Sequence, residues 1–176
     1  KAEKLTVSDM RKRAPTVIRR AIQERYTVSA SQVSKAGGKP KKSSSTAGKI
    51  KLHGANIENL QIVYSGQRVT PALYKITPKA RNGKKKQKIK VEIIKGQKKE
   101  LHPESFLGKA AGTIDIPYVR KTQKRLPIQA LYTVAVPQMV TNDGVSQRIS
   151  EELDALLLER LQHNTEYCTK KMIESI

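Results

Sequence analysis

The chain is short of cysteine and of aromatic residues, and each shortage excludes something. Cys168 is its only cysteine, so no internal disulfide can form, as is typical of a protein made in a reducing cytoplasm. With no Trp and one Phe, it has too few aromatic rings for a platform on which single-stranded bases stack. Its apolar residues are dispersed, and no run approaches the ~18 residues of a membrane span, so we expect no membrane contact.

Motifs that carry catalysis or hold a cofactor are also missing. The phosphate-loop pattern fails at Gly48, because the lysine that follows is succeeded by an isoleucine. The three histidines are far apart, and His163 and Cys168 are five residues apart on a predicted helix, where they point in different directions. We therefore predict that the protein is not an enzyme and that it binds neither a metal nor a cofactor.

Acidic residues are scarce as well. The chain has 15 of them against 35 basic residues, a net charge of +20. Residues 1–141 contain 31 basic and 8 acidic residues, whereas residues 142–176 contain 4 and 7. Such a bias destabilises the compact chain unless anions lie close to it. It predicts a polyanionic partner, either nucleic acid held through its phosphates without sequence readout or an acidic protein surface.

Two segments have the spacing of amphipathic helices. Residues 9–26 place apolar side chains three or four positions apart, and Pro15 there either starts a shorter helix or kinks a longer one. Residues 142–176 return to this spacing and predict a long C-terminal helix. The positions of its apolar stripe that we expect to face the core or a neighbouring subunit are Leu153, Leu157 and Leu161.

Residues 35–49 consist mainly of Gly, Pro, Ser and Lys and have almost nothing to bury. This composition predicts a flexible basic loop, in which Lys41 and Lys42 are candidate polyanion contacts. A lysine-rich loop is often a solvated segment without a partner, and both interpretations stay open here.

Asn82-Gly83 predicts a β-hairpin, because this dipeptide favours two-residue type I′ turns. With that turn, Ile76 faces Ile89 on an apolar side of the ribbon. The other side then sets Lys75 opposite Lys90, and we expect an anion to relieve this repulsion.

The tip of this hairpin gathers basic residues without an acid, and Pro78 predicts an edge strand or a short hairpin. An ordered ribbon aims its charges, which favours a binding role over simple solvation. The candidate polyanion contacts at the tip are Lys79, Arg81, Lys84, Lys85 and Lys86.

Alternating apolar residues predict further strands near residues 50–52, 60–64 and 114–118. In the apolar segment 125–137, Pro127 and Pro137 are expected to prevent a helix. The order helix, strands, helix is typical of an α+β fold. We expect an antiparallel sheet with the Asn-Gly hairpin, packed against an N-terminal helix and a long C-terminal helix, in a single domain of residues 1–176.

The C-terminal half contains a set of short motifs in a distinctive order: a Phe-Leu element, a strand ending in arginine, an Arg-Leu-Pro-Ile segment, a Pro-Gln-Met turn and a terminal helix. Together these resemble the phage minor tail protein Z family, the tail completion proteins of long-tailed phages and prophages. The match covers residues 105–176 and, more loosely, 8–35, and it departs from the family at Thr133, where relatives often have Gly. The residues that carry the motifs are Phe106, Arg120, Arg125, Pro127, Ile128, Pro137 and Met139.

The resemblance implies a structural, non-enzymatic virion protein, made in the bacterial host cytoplasm and placed at the head-proximal end of the tail. There it would complete the tail and join it to the head–tail connector, beside the tail terminator and tail tube proteins. It would form a homo-oligomeric ring, with a hexamer favoured, around the DNA channel.

Two alternatives accompany this expectation. One is a free, sequence-non-specific nucleic-acid-binding protein acting as a monomer or dimer, against which the acidic C-terminal helix argues. The other concerns the Arg-Leu-Pro-Ile segment alone, which also reads as a strand boundary. In that interpretation Arg125 lies in solvent, Leu126 and Ile128 lie in the core, and Pro127 closes a sheet edge.

Overall fold

The computed structural model describes residues 1–29, 33, 49–66, 68–80, 88–109 and 115–175. Two long helices, three small antiparallel sheets and two short helical elements make up this part of the chain. In chain order these are α1 (Ala2–Arg25), β1 (Lys49–His53), β2 (Gln61–Ser65), a 3₁₀ turn (Pro71–Leu73), β3 (Lys75–Thr77), β4 (Lys90–Glu92), β5 (Lys98–Glu100), β6 (Phe106–Lys109), β7 (Asp115–Arg120), β8 (Ile128–Ala130), α2 (Val136–Val140) and α3 (Asp143–Ile173).

Helix α1 begins at Ala2, seven residues before the predicted start. The missed first turns bury Thr6 and Val7, which continue the apolar stripe that includes Met10, Ala14 and Ile18. Pro15 lies inside this longer helix, where it removes one main-chain hydrogen bond. The helix tolerates that loss because packing of its apolar face, rather than propensity alone, holds it in place.

Helix α3 covers 31 residues, about 46 Å at 1.5 Å per residue, which confirms the predicted long C-terminal helix. It packs along α1 in the opposite direction: Arg148 near its start pairs with Glu24, and Asn164 in its second half bonds to Thr6. Neither of the long helices in the described residues is apolar enough to cross a lipid bilayer.

The α+β class is confirmed, but the strands form three sheets rather than one. Strands β1 and β2 pair as a two-stranded ribbon, β3, β4 and β5 form the second sheet in that order, and β6, β7 and β8 form the third. All pairings between the described strands are antiparallel.

The pairing of β3 with β4 is shifted by two residues from the predicted register. Ile76 lies opposite Val91 instead of Ile89, and Lys75 lies opposite Glu92 instead of Lys90. A two-residue shift keeps the same apolar face, because side chains alternate with a period of two, but it exchanges every partner. The expected lysine–lysine repulsion is therefore wrong. The turn residues 81–87, including Asn82-Gly83, lie outside the described residues.

The main core lies between α1, α2 and α3 and the inner faces of β1 and β2, with Ile18, Ile22 and Val136 fully buried. A smaller cluster of Ile76, Ile89 and Leu107 joins the second and third sheets. The end of α1 anchors the second sheet, since Thr27 N–H donates to the Ile93 carbonyl at 2.9 Å and Lys95 N–H donates to the Arg25 carbonyl at 2.9 Å.

Candidate interaction surfaces

The basic hairpin tip and the basic loop fall largely outside the described residues. This is so for Arg81, Lys84, Lys85 and Lys86 at the tip and for Lys41 and Lys42 in the loop, whose roles stay predictions. Of the tip residues, Lys79 is described, and it is exposed.

Two ion pairs offset part of the positive charge of the sheet that supports the tip. Lys75 Nζ lies 3.6 Å from Glu92 Oε2, and Lys88 Nζ lies 3.8 Å from Glu100 Oε1. Glu92 also accepts a hydrogen bond from Gly96 N–H at 2.9 Å. That bond, with the nearby Lys75 and Lys98 ammonium groups, lowers the pKa of the Glu92 carboxyl. Lys75 faces a carboxylate rather than Lys90, so repulsion between these two lysines gives no reason to invoke an anion at the base of the tip.

The third sheet brings several motif residues together. The rings of Phe106 and Tyr118 are 6.1 Å apart and stacked, and the Arg120 guanidinium lies 5.6 Å from the Phe106 ring centroid, a cation–π contact. Arg120 lies opposite Ile128 in the pairing of β7 with β8. The Tyr118 ring also lies close to the backbone of Gly108, where an added Cβ would be 3.1 Å from the ring, a tight contact that glycine avoids.

Pro137 and Met139 belong to a different part of the molecule. Pro137 lies in the first turn of α2, where a missing N–H costs nothing, so it helps to start a short helix rather than to block one. Met139 is fully buried in the main core. Thr133, the position that departs from the family pattern, holds the preceding segment: its N–H and Oγ1 both donate to the Val69 carbonyl, at 2.7 and 2.9 Å.

The loop between β7 and β8 contains a basic cluster, of which only Arg120 and Arg125 were predicted as motif residues. Lys121, Lys124 and Arg125 are exposed beside Arg120, and no acidic residue occurs between Asp115 and Asp143. The absence of acidic residues from this stretch is the feature of the sequence from which the cationic loop could have been predicted. This is the largest cationic loop among the residues that the structure describes.

The same loop contradicts the strand-boundary interpretation of the Arg-Leu-Pro-Ile segment. Leu126 is 65% exposed and Ile128 is 39% exposed, so neither lies in the core. The physical reason is that β8 is a three-residue edge strand, and its outward side chains meet no second layer in the described part of the chain. Arg125 lies in solvent, as that interpretation expected.

The predicted apolar stripe of α3 is buried at Leu153 and only partly buried at Leu157 and Leu161. Leu153 is buried and Leu157 packs partly against the main core, whereas Leu161 is half-buried. On another side of the helix, Leu158 is 61% exposed and lies beside Asp154 and Glu151. These three residues are spaced three and four apart, so they share one helical face.

No group of three His, Cys, Asp or Glu side chains within the described ranges is placed to hold a metal ion. Comparisons with protein-family models, with curated proteins and with solved structures gave no match. The resemblance to tail completion proteins therefore depends on the order of the short motifs alone, and it stays a prediction. In its described part, the structure shows two long helices packed along each other, a cationic loop on the third sheet and exposed carboxylates on α3.

Proposed function

We propose that this protein is a structural, non-catalytic subunit of a phage tail, placed at the head-proximal end of the tail. It completes the tail and joins it to the head–tail connector, in contact with the tail terminator and the tail tube. It does so as a ring, of which a hexamer is the favoured form, around the DNA channel. The ordered motifs of residues 105–176 support this proposal.

The observation that carries an assembly role is the presence of a cationic and an anionic surface on different parts of the folded chain. Helices α1 and α3 pack along each other through the buried side chains of Ile18, Ile149 and Leu153. The third sheet displays a cationic loop, and the outer side of α3 displays carboxylates. A subunit that acts through contacts needs such a frame and such surfaces, and it needs no active site.

A free nucleic-acid-binding protein is the second candidate. The observation that favours it is the exposed set Lys121, Lys124 and Arg125, which can meet phosphates without reading sequence. Such a protein would act as a monomer or dimer and would bind duplex DNA with similar affinity whatever its sequence.

The deciding experiment uses the phage or prophage whose genome encodes this chain. With an epitope tag, the protein is expected in purified particles, with gold label at the junction of head and tail, and disrupted particles are expected to yield it together with tail proteins. Deletion of its gene should leave unjoined heads and tails. A tagged protein that is found on host nucleic acid but not in particles would instead support the second candidate.

A further inference from the structure

The cationic loop of the third sheet has an apolar component that a phosphate contact does not need. Two aliphatic side chains, Leu126 and Ile128, are exposed directly after Lys124 and Arg125. We call these residues, together with Arg120 and Lys121, the β7–β8 surface. Because burial of Leu126 and Ile128 against phosphates gains little, the mixture of cations and aliphatic groups fits a protein surface better than a nucleic-acid backbone.

A surface with the opposite charge and an exposed aliphatic side chain lies elsewhere on the same chain. The outer face of α3, formed by Glu151, Asp154 and Leu158, places two carboxylates and one exposed leucine in a line about two helical turns in length. Seven of the 15 acidic residues of the chain lie in residues 142–176, which makes this the least basic region of a protein with a net charge of +20.

These two surfaces do not cover each other within one molecule, because the side chains that form them are exposed in the folded chain. Helix α3 packs on α1 and α2, while β7 packs on β6, β8 and the 3₁₀ turn. A contact between the β7–β8 surface and the outer face of α3 therefore has to form between two copies.

We propose that the β7–β8 surface of one copy docks on the outer face of α3 of a second copy. Leu126 and Ile128 pack against Leu158, and the cations of the loop meet Glu151 and Asp154. Because the two surfaces differ, the contact is heterologous, and repetition of it closes a ring or extends a filament. This inference rests on the proposed assembly function and names the surfaces that such a ring uses.

The test reverses the charge of each surface in a separate variant. The loop variant is Lys124→Glu with Arg125→Glu, and the helix variant is Glu151→Lys with Asp154→Lys. Light scattering after gel filtration measures the mass of each purified full chain at several concentrations. We expect each variant to self-associate roughly ten- to a hundredfold more weakly than the native chain. Raised salt should weaken native association as well.

Mixing the two variants is the decisive step. Each retains one native surface, and the two reversed surfaces are again complementary, so an equimolar mixture is expected to recover association. Two controls carry the same charge changes elsewhere, and they should associate like the native chain. They are Lys12→Glu with Arg13→Glu on the exposed side of α1, and Glu166→Lys with Glu174→Lys toward the C-terminal end of α3.

Several results would overturn the proposal. A native chain that stays monomeric at every concentration removes the contact altogether. Loss of association in the helix variant alone, without recovery on mixing, points to a symmetric contact between two α3 helices. Unchanged mass in the loop variant, with loss of binding to duplex DNA, assigns the β7–β8 surface to nucleic acid.

A cross-link locates the contact independently of charge. In a Cys168→Ser background, the pair Leu126→Cys and Leu158→Cys should oxidise to a ladder of covalent oligomers, whereas either cysteine alone should give at most a dimer. Absence of the ladder contradicts the proposal. These assays need only the purified chain, so a chain that assembles as described but is absent from phage particles would refute the proposed function and leave this contact standing.

Discussion

Asn164 in the second half of α3 donates a hydrogen bond from Nδ2 to Oγ1 of Thr6 near the start of α1, at 3.2 Å. The same amide lies 3.1 Å from Asp9 Oδ2, and Thr6 Oγ1 bonds to the Ala2 carbonyl at 3.1 Å. Asn164 and Thr6 are both buried, so this polar contact fixes the register between the start of α1 and the second half of α3.

We therefore expect Asn164→Ala to destabilise the protein by about 1–3 kcal/mol, because it leaves buried polar groups without their partner. The free energy of unfolding from urea titration measures the effect. Gln162→Ala, an exposed amide two residues away on the same helix, is the matched control and should change stability little. Equal midpoints for the two variants would contradict a structural role for Asn164.

The stability lost when a leucine of α3 is replaced by alanine should follow the burial of that leucine. Leu153→Ala is expected to cost about 2–4 kcal/mol, since this side chain is buried in the main core. Leu157 is only partly buried, so Leu157→Ala should cost less, about 1–2 kcal/mol. Leu158→Ala should leave the thermal melt nearly unchanged and weaken self-association instead. A larger loss of stability at Leu158 than at Leu153 would mean that the helix packs on another face.

Stability should also fall at alkaline pH through Tyr74. Its hydroxyl donates to the Val134 carbonyl at 3.1 Å, and burial raises the pKa of this phenol to about 12. An unfolded tyrosine ionises near pH 10, so the folded state loses its advantage as the pH rises from about 10 to about 12, by about 2–3 kcal/mol in all.

Chemical unfolding at a series of pH values measures this effect. Tyr74→Phe should reduce the loss of stability above pH 10, although burial also raises the pKa of Tyr26 and Tyr64, so some dependence will remain. Tyr132→Phe, at an exposed position, provides the control. A Tyr74→Phe variant whose stability falls as steeply as that of the native chain would rule out this tyrosine as the cause.

Under the proposed function, the hairpin tip is the candidate for contact with DNA. Replacement of Lys84, Lys85 and Lys86 by Gln should flatten the salt dependence of DNA binding, because a tip without these three charges displaces fewer counterions from the phosphates. The melting temperature should not fall. Binding of the native chain is expected to be insensitive to sequence and to weaken by orders of magnitude between about 50 and 200 mM salt.

The matched control removes three positive charges from the exposed side of α1, with Lys12, Arg13 and Arg20 changed to Gln. In particles, the tip variant should leave tails assembled and impair DNA retention or delivery. An unchanged salt slope would exclude the tip, and Lys41 and Lys42 in residues 35–49 would be tested next.

Much of the fold follows from periodicity in the chain. The spacing of Met10, Ala14 and Ile18 predicts α1, that of Val145, Ile149 and Leu153 predicts α3, and the alternation of residues 50–52 and 60–64 predicts β1 and β2. Periodicity succeeds here because a buried helical face or strand face has to recur every three or four residues or every two. The uneven charge along the chain is likewise a property of composition.

Tertiary packing settled what periodicity leaves open. Periodicity shows which side chains share a face, but it does not show which element covers that face or in which register two strands pair. This is why Lys75 lies opposite Glu92 rather than Lys90, and why Leu126 and Ile128 are exposed although they read as core residues. Those outcomes depend on contacts between residues distant in the chain, here the docking of the 92–96 turn on the end of α1 and the position of β8 at a sheet edge.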